Sequence, residues 1–223
     1  MSGTRYAQFC ALARAAEIIG ERWTLLIIRE LLLGPVRFGE LEARLNDVSP
    51  ALLTGRLNAL IENGVVRRAT LPAPFSAQVY ELTEIGRAIQ PAIRELIRWG
   101  GRFLLPMRPD DVFEPDWVML ALDAIAERAA TPVCRINLRV PHPNGAASFI
   151  IEGGPQGTRV AKGELAEGAA IETRFDTFLQ ILTRQLPLDV AVANKQARLE
   201  GSERTLRKLP QLFNLATARP LNE

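Results

Sequence analysis

The side chains able to do chemistry begin with a run of small and polar positions behind Ser49-Pro50: Ala51, Thr54, Gly55 and Asn58, with Glu62 beyond. At 100° per residue, Leu52, Leu53, Leu57, Leu60 and Ile61 gather on one face of a helix. Ala51, Gly55, Asn58 and Glu62 fall opposite, with Thr54 at the edge. A face so low in bulk allows close approach to base edges in a groove ~12 Å wide, and an asparagine amide carries the donor–acceptor pair that matches adenine. An ordinary amphipathic surface helix has the same pattern. A second group is the arginines, 24 against 3 lysines, whose planar fork suits phosphates and guanine edges. They run through both halves of the chain, so the ratio reflects composition bias more than a partner. The charge balance is more telling: residues 1–106 sum to +3 and residues 107–223 to −1, within a net charge of +2.

Other chemistries find few residues. His142, the one histidine, stands between two prolines in the turn Pro141-His142-Pro143-Asn144-Gly145. The sequence has no Cys/His metal cluster, phosphate-binding glycine loop or G-x-S-x-G elbow. Asp176 and Asp189 sit where helices start, where acids cap. The expectation is therefore a protein that is not an enzyme and has no cofactor or metal. Cys10 and Cys134 cannot form a disulfide framework and fit a reducing, cytoplasmic setting. No apolar run approaches the ~20 residues of a membrane span, and the first residues lack the pattern of a signal peptide.

The elements that must position these residues divide near Leu105–Asp111, where two prolines and an acidic pair punctuate the chain. Domains of residues 1–106 and 107–223 are expected. In the first, helices are expected over Ala11–Ile19, Glu21–Leu33 (stopped by Gly34-Pro35), Phe38–Leu45 and Pro50 to about Asn63. Ser49 is placed to cap the last of these, with Pro50 at its first position. Strands Val65–Leu71 and Gln78–Thr83 flank the turn 72–77, and a final helix starts near Glu84, kinked or delayed by Pro91. Ile89, Ile93, Leu96, Ile97 and Phe103 form its apolar stripe, suited to a partner helix or to cover by the second domain. Three helices, a tight turn and a two-stranded wing make a winged helix-turn-helix.

The run Ala16–Leu31 (AEIIGERWTLLIIREL), with Gly34–Leu41 (GPVRFGEL), Leu52–Leu57 (LLTGRL) and Tyr80–Arg87 (YELTEIGR), resembles HxlR-type transcriptional regulators over about residues 8–103. That resemblance implies a homodimeric winged-helix protein on a double-stranded DNA operator, pairing through its N-terminal helix and residues 85–104. It also implies that Ser49, Pro50, Ala51, Thr54, Gly55 and Asn58 face the major groove. Asn58 would contact adenine, and Thr54 a thymine methyl or phosphate. Ser49 serves either as cap or as phosphate contact. Arg56 reaches phosphate or pairs internally with Glu40 or Glu42. Arg67 and Arg68 alternate across the strand, so one of them, taken as Arg68, points at DNA. Ser76 and Gln78 near the wing tip and Arg37 before the third helix are further backbone or minor-groove contacts. Cys10 falls where many family members carry a cysteine that in some senses oxidants. The proline usually following it is Ala11 here, and a packing role is the alternative.

The second half reads as α+β: a helix over Glu114–Ala130, an antiparallel sheet from Val133–Val140, Ala147–Glu152, Thr158–Lys162 and Ala170–Phe175, then helices Asp176–Arg184, Leu188–Lys195 and Ser202–Leu215. In the first strand Cys134, Ile136, Leu138 and Val140 face one way and Arg135, Asn137 and Arg139 the other. Residues 171–182 (IETRFDTFLQIL) and Leu199–Ser202, leading into Leu206, Leu209 and Phe213, resemble the sterol carrier protein-like fold over about 113–215. Two positions depart from that fold, Arg184-Gln185 replacing its glycine after the first helix and Lys195 another before the last strand, so an altered cavity mouth is expected. The resemblance implies a pocket for an apolar small-molecule effector, lined by Ile136, Leu138, Phe149, Phe178, Leu182, Val190, Leu209 and Phe213. The same residues packed together would make a dry core, in which case the second domain only packs and dimerises. A third reading is a lipid-binding carrier fused to a winged module.

Overall fold

The computed structural model describes residues 5–72, 74, 76–108, 110–142 and 145–214. Packing divides the chain into two compact units, Met1–Ile93 and Arg94–Glu223. The division falls within a helix rather than at the proline-rich segment 105–111.

In the first unit α1 (Ala11–Ile19) is followed by α2 (Thr24–Leu32), α3 (Phe38–Leu45) and α4 (Pro50–Glu62). The second helix starts later than its apolar run suggests, because Trp23 adopts a left-handed φ of 77° that no helix continues through. Asn46 and Asp47, at φ 37° and 52°, make the tight turn before α4, a conformation these two residue types tolerate. Ile27, Ile28, Leu41, Leu53 and Leu57 are wholly buried, so α2, α3 and α4 each contribute apolar side chains to one core. Inside it, the fully enclosed Glu30 carboxylate is paired with Arg29 at 2.7 Å and Arg44 at 3.4 Å. The wing is β1 (Val66–Thr70) antiparallel to β2 (Gln78–Leu82), with Arg68 opposite Tyr80. Val36 exchanges backbone hydrogen bonds with Tyr80 and ties the start of α3 to the wing. The turn expected over 72–77 contains Ala73 and Phe75, which lie outside the described residues.

The expected break at Pro91 is real: α5 (Glu84–Arg87) is a separate turn, and α6 (Gln90–Gly100) starts with Pro91 in its first turn. Thr83 caps α5, its hydroxyl donating to Gly64 O at 2.6 Å and accepting from Gly86 N at 3.1 Å. A Cβ built on Gly86 would stand 2.1 Å from Val65 O. Glycine there lets α5 lie directly on the backbone leading into β1.

The second unit contains the end of α6, a 3-10 turn over Gly101–Phe103, α7 (Pro115–Ile125) and a five-stranded sheet. Its strands are β3 (Cys134–His142), β4 (Gly145–Gly153), β5 (Arg159–Lys162), β6 (Ala169–Thr173) and, after α8 (Phe175–Leu182) and α9 (Leu188–Ala193), β7 (Ala197–Glu200). The order is β5-β4-β3-β6-β7. The expectation of an antiparallel sheet fails at its centre, where β3 and β6 run parallel and the sheet is mixed. The edge strand β7, at four residues, is too short for its alternation to stand out in the sequence, and only the sterol carrier resemblance implies it. His142 belongs to β3, paired with Gly145, rather than to a turn; Pro143 and Asn144 lie outside the described residues.

Other departures have local causes. The helix expected to reach Ala130 stops at Ile125, because Ala126 leaves to bridge with Phe213 and Glu127 N–H donates to Leu212 O. The helix expected over Ser202–Leu215 is α10 (Glu203–Leu206) and a 3-10 turn at Leu209–Gln211, since Pro210 offers no N–H to continue it; Leu215 lies outside the described residues. Asn137, expected to face outward, is buried. Its amide donates to Leu165 O at 3.2 Å and accepts from Leu165 N at 2.9 Å, so the loop before β6 folds over it. Beside it Arg139 pairs with Glu164 at 2.6 Å and Glu200 at 2.7 Å, spanning the outer face between loop and β7.

Candidate nucleic-acid interface

The side chains of α4 separate as its periodicity demands. Leu53, Leu57 and Leu60 are buried, while Ala51, Thr54, Gly55 and Asn58 are exposed. Ser49 Oγ accepts from Leu52 N at 3.3 Å, so of its two expected duties the hydroxyl performs the cap, with Pro50 in the first turn. The ideal Cβ position on Gly55 has nothing within 4 Å, so the outward surface is open there. Residues 51 and 58 are separated by about 10 Å of helix rise, a span of roughly three base steps.

The arginines are sorted by their partners. Arg56 is taken by Glu21, Nη2 to Oε2 at 2.8 Å, instead of by Glu40 or Glu42. Its Nε is buried without a partner among the described residues. The pairing holds the segment between α1 and α2 to α4, and it removes Arg56 from the free cations of this surface. Arg67 is bonded to Glu81 across the strands at 2.6 Å. Arg68, on the other face as alternation requires, donates from Nη2 to Asn58 Oδ1 at 3.2 Å, with its Cζ 5.9 Å from the Tyr80 ring centroid. Tyr80 escaped sequence reasoning because its role appears only once the cross-strand register is known. Gln78 Nε2 donates to Thr70 Oγ1 at 2.9 Å, closing the wing near its tip, and Ser76 is exposed with φ 25°. Arg37 is exposed; its backbone N–H donates to Glu40 Oε2 at 3.3 Å. Of the expected contacts the fold thus joins Asn58 to Arg68 and leaves Thr54, Gly55, Ala51, Pro50, Arg37 and Ser76 exposed.

The apolar stripe of the last helix is only partly free. Ile93 is in the core of its own unit, at 5% exposure. Leu96 and Phe103 are exposed, with Trp99 packed edge-on against Phe103 at 5.1 Å. The other half of α6 is used internally: Arg94 pairs with Asp123 at 2.7 Å, and Arg98 Nε donates to Ala124 O, both on α7. Phe9 and Leu12, around the start of α1, are also exposed. Cys10 is exposed at the head of α1, and the nearby Arg14 is held by Glu17 at 2.9 Å. Tyr6 N–H and Arg14 together keep the Glu17 carboxyl below its ordinary range. Cys134 is buried, which pushes its thiol pKa up.

In the second unit Ile136, Leu138, Phe149, Phe178, Leu182, Leu209 and Phe213 are gathered in one buried cluster, with Phe178 edge-on to Phe213 at 6.2 Å. Val190 stands apart, 40% exposed. A polar cavity of about 560 Å³ lies elsewhere, lined by Glu172, Arg174, Asp176, Gln180, Lys195 and Arg198 among others. Burial pushes the Asp176 carboxyl up, but hydrogen bonds from Arg174 and from Thr177 N–H outweigh it and hold the pKa below the ordinary value. Among the described residues no group of three or more His, Cys, Asp or Glu side chains could hold a metal, and no helix is long and apolar enough to cross a membrane.

The HxlR-like helix-turn-helix family matches residues 18–108. An uncharacterized HTH-type transcriptional regulator of Mycobacterium tuberculosis strain H37Rv is 42% identical over 94 residues, 42% of this chain and 59% of that protein. The chain therefore spans less than two thirds of that relative. YvaP of Bacillus subtilis, another uncharacterized HTH-type regulator, is 37% identical over 93 residues, 42% of this chain and 86% of its own length. Among solved structures, reduced YodB from B. subtilis, a transcriptional regulator, is 34% identical, covering 45% of this chain and all of that one with a TM-score of 0.39. Through its winged unit, the chain belongs to the HxlR-like helix-turn-helix family of HTH-type transcriptional regulators.

Proposed function

We propose that this protein is a homodimeric transcriptional regulator that reads double-stranded DNA with α4 and steadies itself with the wing. One observation carries the reading: the exposed side of α4 presents Ala51, Thr54, Gly55 and Asn58, with no Cβ neighbour at Gly55, while Leu53, Leu57 and Leu60 on its other side are buried in the core. An exposed helix needs no glycine in its middle, where glycine costs about 1 kcal/mol relative to alanine. Close approach of a groove gives that glycine a purpose. Pairing of two copies is supported by the exposed Phe9, Leu12, Leu96, Trp99 and Phe103, apolar side chains for which water is the poorer partner. Residues 1–106 then form the DNA-binding and dimerising part, and residues 107–223 the part that modulates or braces it. Gel retardation of the chain's own upstream DNA tests this. Thr54→Ala with Asn58→Ala should weaken specific retardation at unchanged thermal stability; unchanged specific affinity refutes the groove assignment.

For the second unit two readings compete. The sterol carrier resemblance is supported by Arg184 and Lys195, which stand where that fold has glycine and adopt φ 61° and 58°, the region glycine favours. The dense burial of the pocket-lining candidates, with Val190 outside, favours a packing and dimerising role over an apolar effector within the core. Native mass spectrometry of freshly purified protein separates them: a co-purified apolar ligand restores the effector reading. Cys10 is the thiol any oxidant response would use, and Cys10→Ser would abolish a diamide-induced loss of DNA binding.

A further inference from the structure

Arg68 and Asn58 belong to different elements, β1 and α4, and meet through Arg68 Nη2 and Asn58 Oδ1 at 3.2 Å. The guanidinium is steadied from beneath by Tyr80, its partner in the wing register, at 5.9 Å from the ring centroid. Arg56 and Arg67 are each held by a carboxylate, Glu21 and Glu81. The contacts of Arg68 are instead an amide and an aromatic face. A guanidinium only donates, so the Asn58 atom facing it is the oxygen, and the sense of the amide is fixed: Oδ1 toward the wing, Nδ2 away from it. Oδ1 keeps a second lone pair and Nδ2 its protons, the acceptor and donor that an adenine edge requires together.

We propose that Arg68 is a positioning residue for base recognition, which acts through Asn58 by holding its amide in the sense that pairs with adenine. This rests on the reading of α4 as a groove-facing helix. Pinning the amide before DNA arrives removes the cost of ordering it on binding, and it forbids the inverted amide that would accept other edges. The competing role is a cation for phosphate, which carries no sequence information.

The two roles leave different signatures in a selection from randomised duplex DNA, using the full chain and its Arg68→Ala, Arg68→Lys, Asn58→Ala and double variants. The wild type should enrich a site with adenine at one position in each half. Asn58→Ala should lose that preference by about 5–150-fold, the worth of one two-point contact. Arg68→Ala should lose preference at that same position and no other. Arg68→Lys, which keeps the charge and a donor but loses the planar seat on Tyr80, should restore it in part. In the Asn58→Ala background, removing Arg68 should change no base preference. The proposal is overturned if Arg68→Ala leaves the preference profile intact and weakens all sites equally, with the slope of log affinity against log salt falling by about 1. Wild-type protein enriching no sequence refutes the DNA-binding reading itself, a distinct outcome.

Discussion

Gly55 is where helix stability and the proposed groove contact make opposite demands. It sits inside α4, is exposed, and has room for a side chain. Gly55→Ala therefore recovers the helix-interior penalty of glycine, about 1 kcal/mol, with no clash to offset it. In a unit of 60–100 residues that raises the midpoint of melting by about 4–8 °C. Gly55→Leu should gain nearly as much, because leucine is also a strong helix former. Its branched side chain, however, would stand between Thr54 and Asn58 and hold the helix off the base edges. Specific affinity should fall at least tenfold, equivalent to about 1.4 kcal/mol, while the unfolding midpoint rises. Differential scanning calorimetry and gel retardation on the same preparations read the two effects. Full specific affinity in Gly55→Leu would refute the placement of α4 against DNA. A lower melting temperature in Gly55→Ala would refute the open surface at that position.

Gly86→Ala should behave in the opposite way: despite better helix propensity, the new methyl meets Val65 O and must part the Thr83 bonds, costing about 1–3 kcal/mol in urea titration. Phe178→Ala should destabilise by about 3–5 kcal/mol, read as a lower urea midpoint at unchanged m-value. Iodoacetamide on native protein should label Cys10 and spare Cys134, with equal labelling in urea, as peptide mapping would show. Because the folded pKa of Asp176 lies below its unfolded value, its contribution is present above the ordinary carboxylate range and lost as pH falls through the folded value. Asp176→Asn should flatten the acid limb of the stability profile.

The winged unit was legible because its signals are local. Ser49-Pro50 marks the start of α4, Gly34-Pro35 the end of α2, and Pro91 the break after α5. The partner of Arg56 was not legible, since Glu21 lies 35 residues away while Glu40 and Glu42 are nearer in sequence. The same holds for Tyr80 beneath Arg68. In the second unit strand positions followed from alternation, but alternation is blind to direction, so the parallel β3–β6 pair was missed. Asn137 was misplaced because a loop, rather than solvent, covers it. The end of α7 depends on Phe213, far along the chain. Local chemistry announces where elements start; pairing over distance decides where they stop and whom they face.

The bridge between Ala126 and Phe213 also sets an order of events during synthesis. The first unit has all its core residues by Ile93, whereas the core of the second includes Leu209, Leu212 and Phe213. Translation at about 5–20 residues per second separates those points by roughly 6–24 seconds. During that interval a finished winged unit coexists with a tethered nascent segment whose sheet cannot yet bury its apolar face. The winged unit can thus close its own core while the sheet of the second still waits for its last apolar residues.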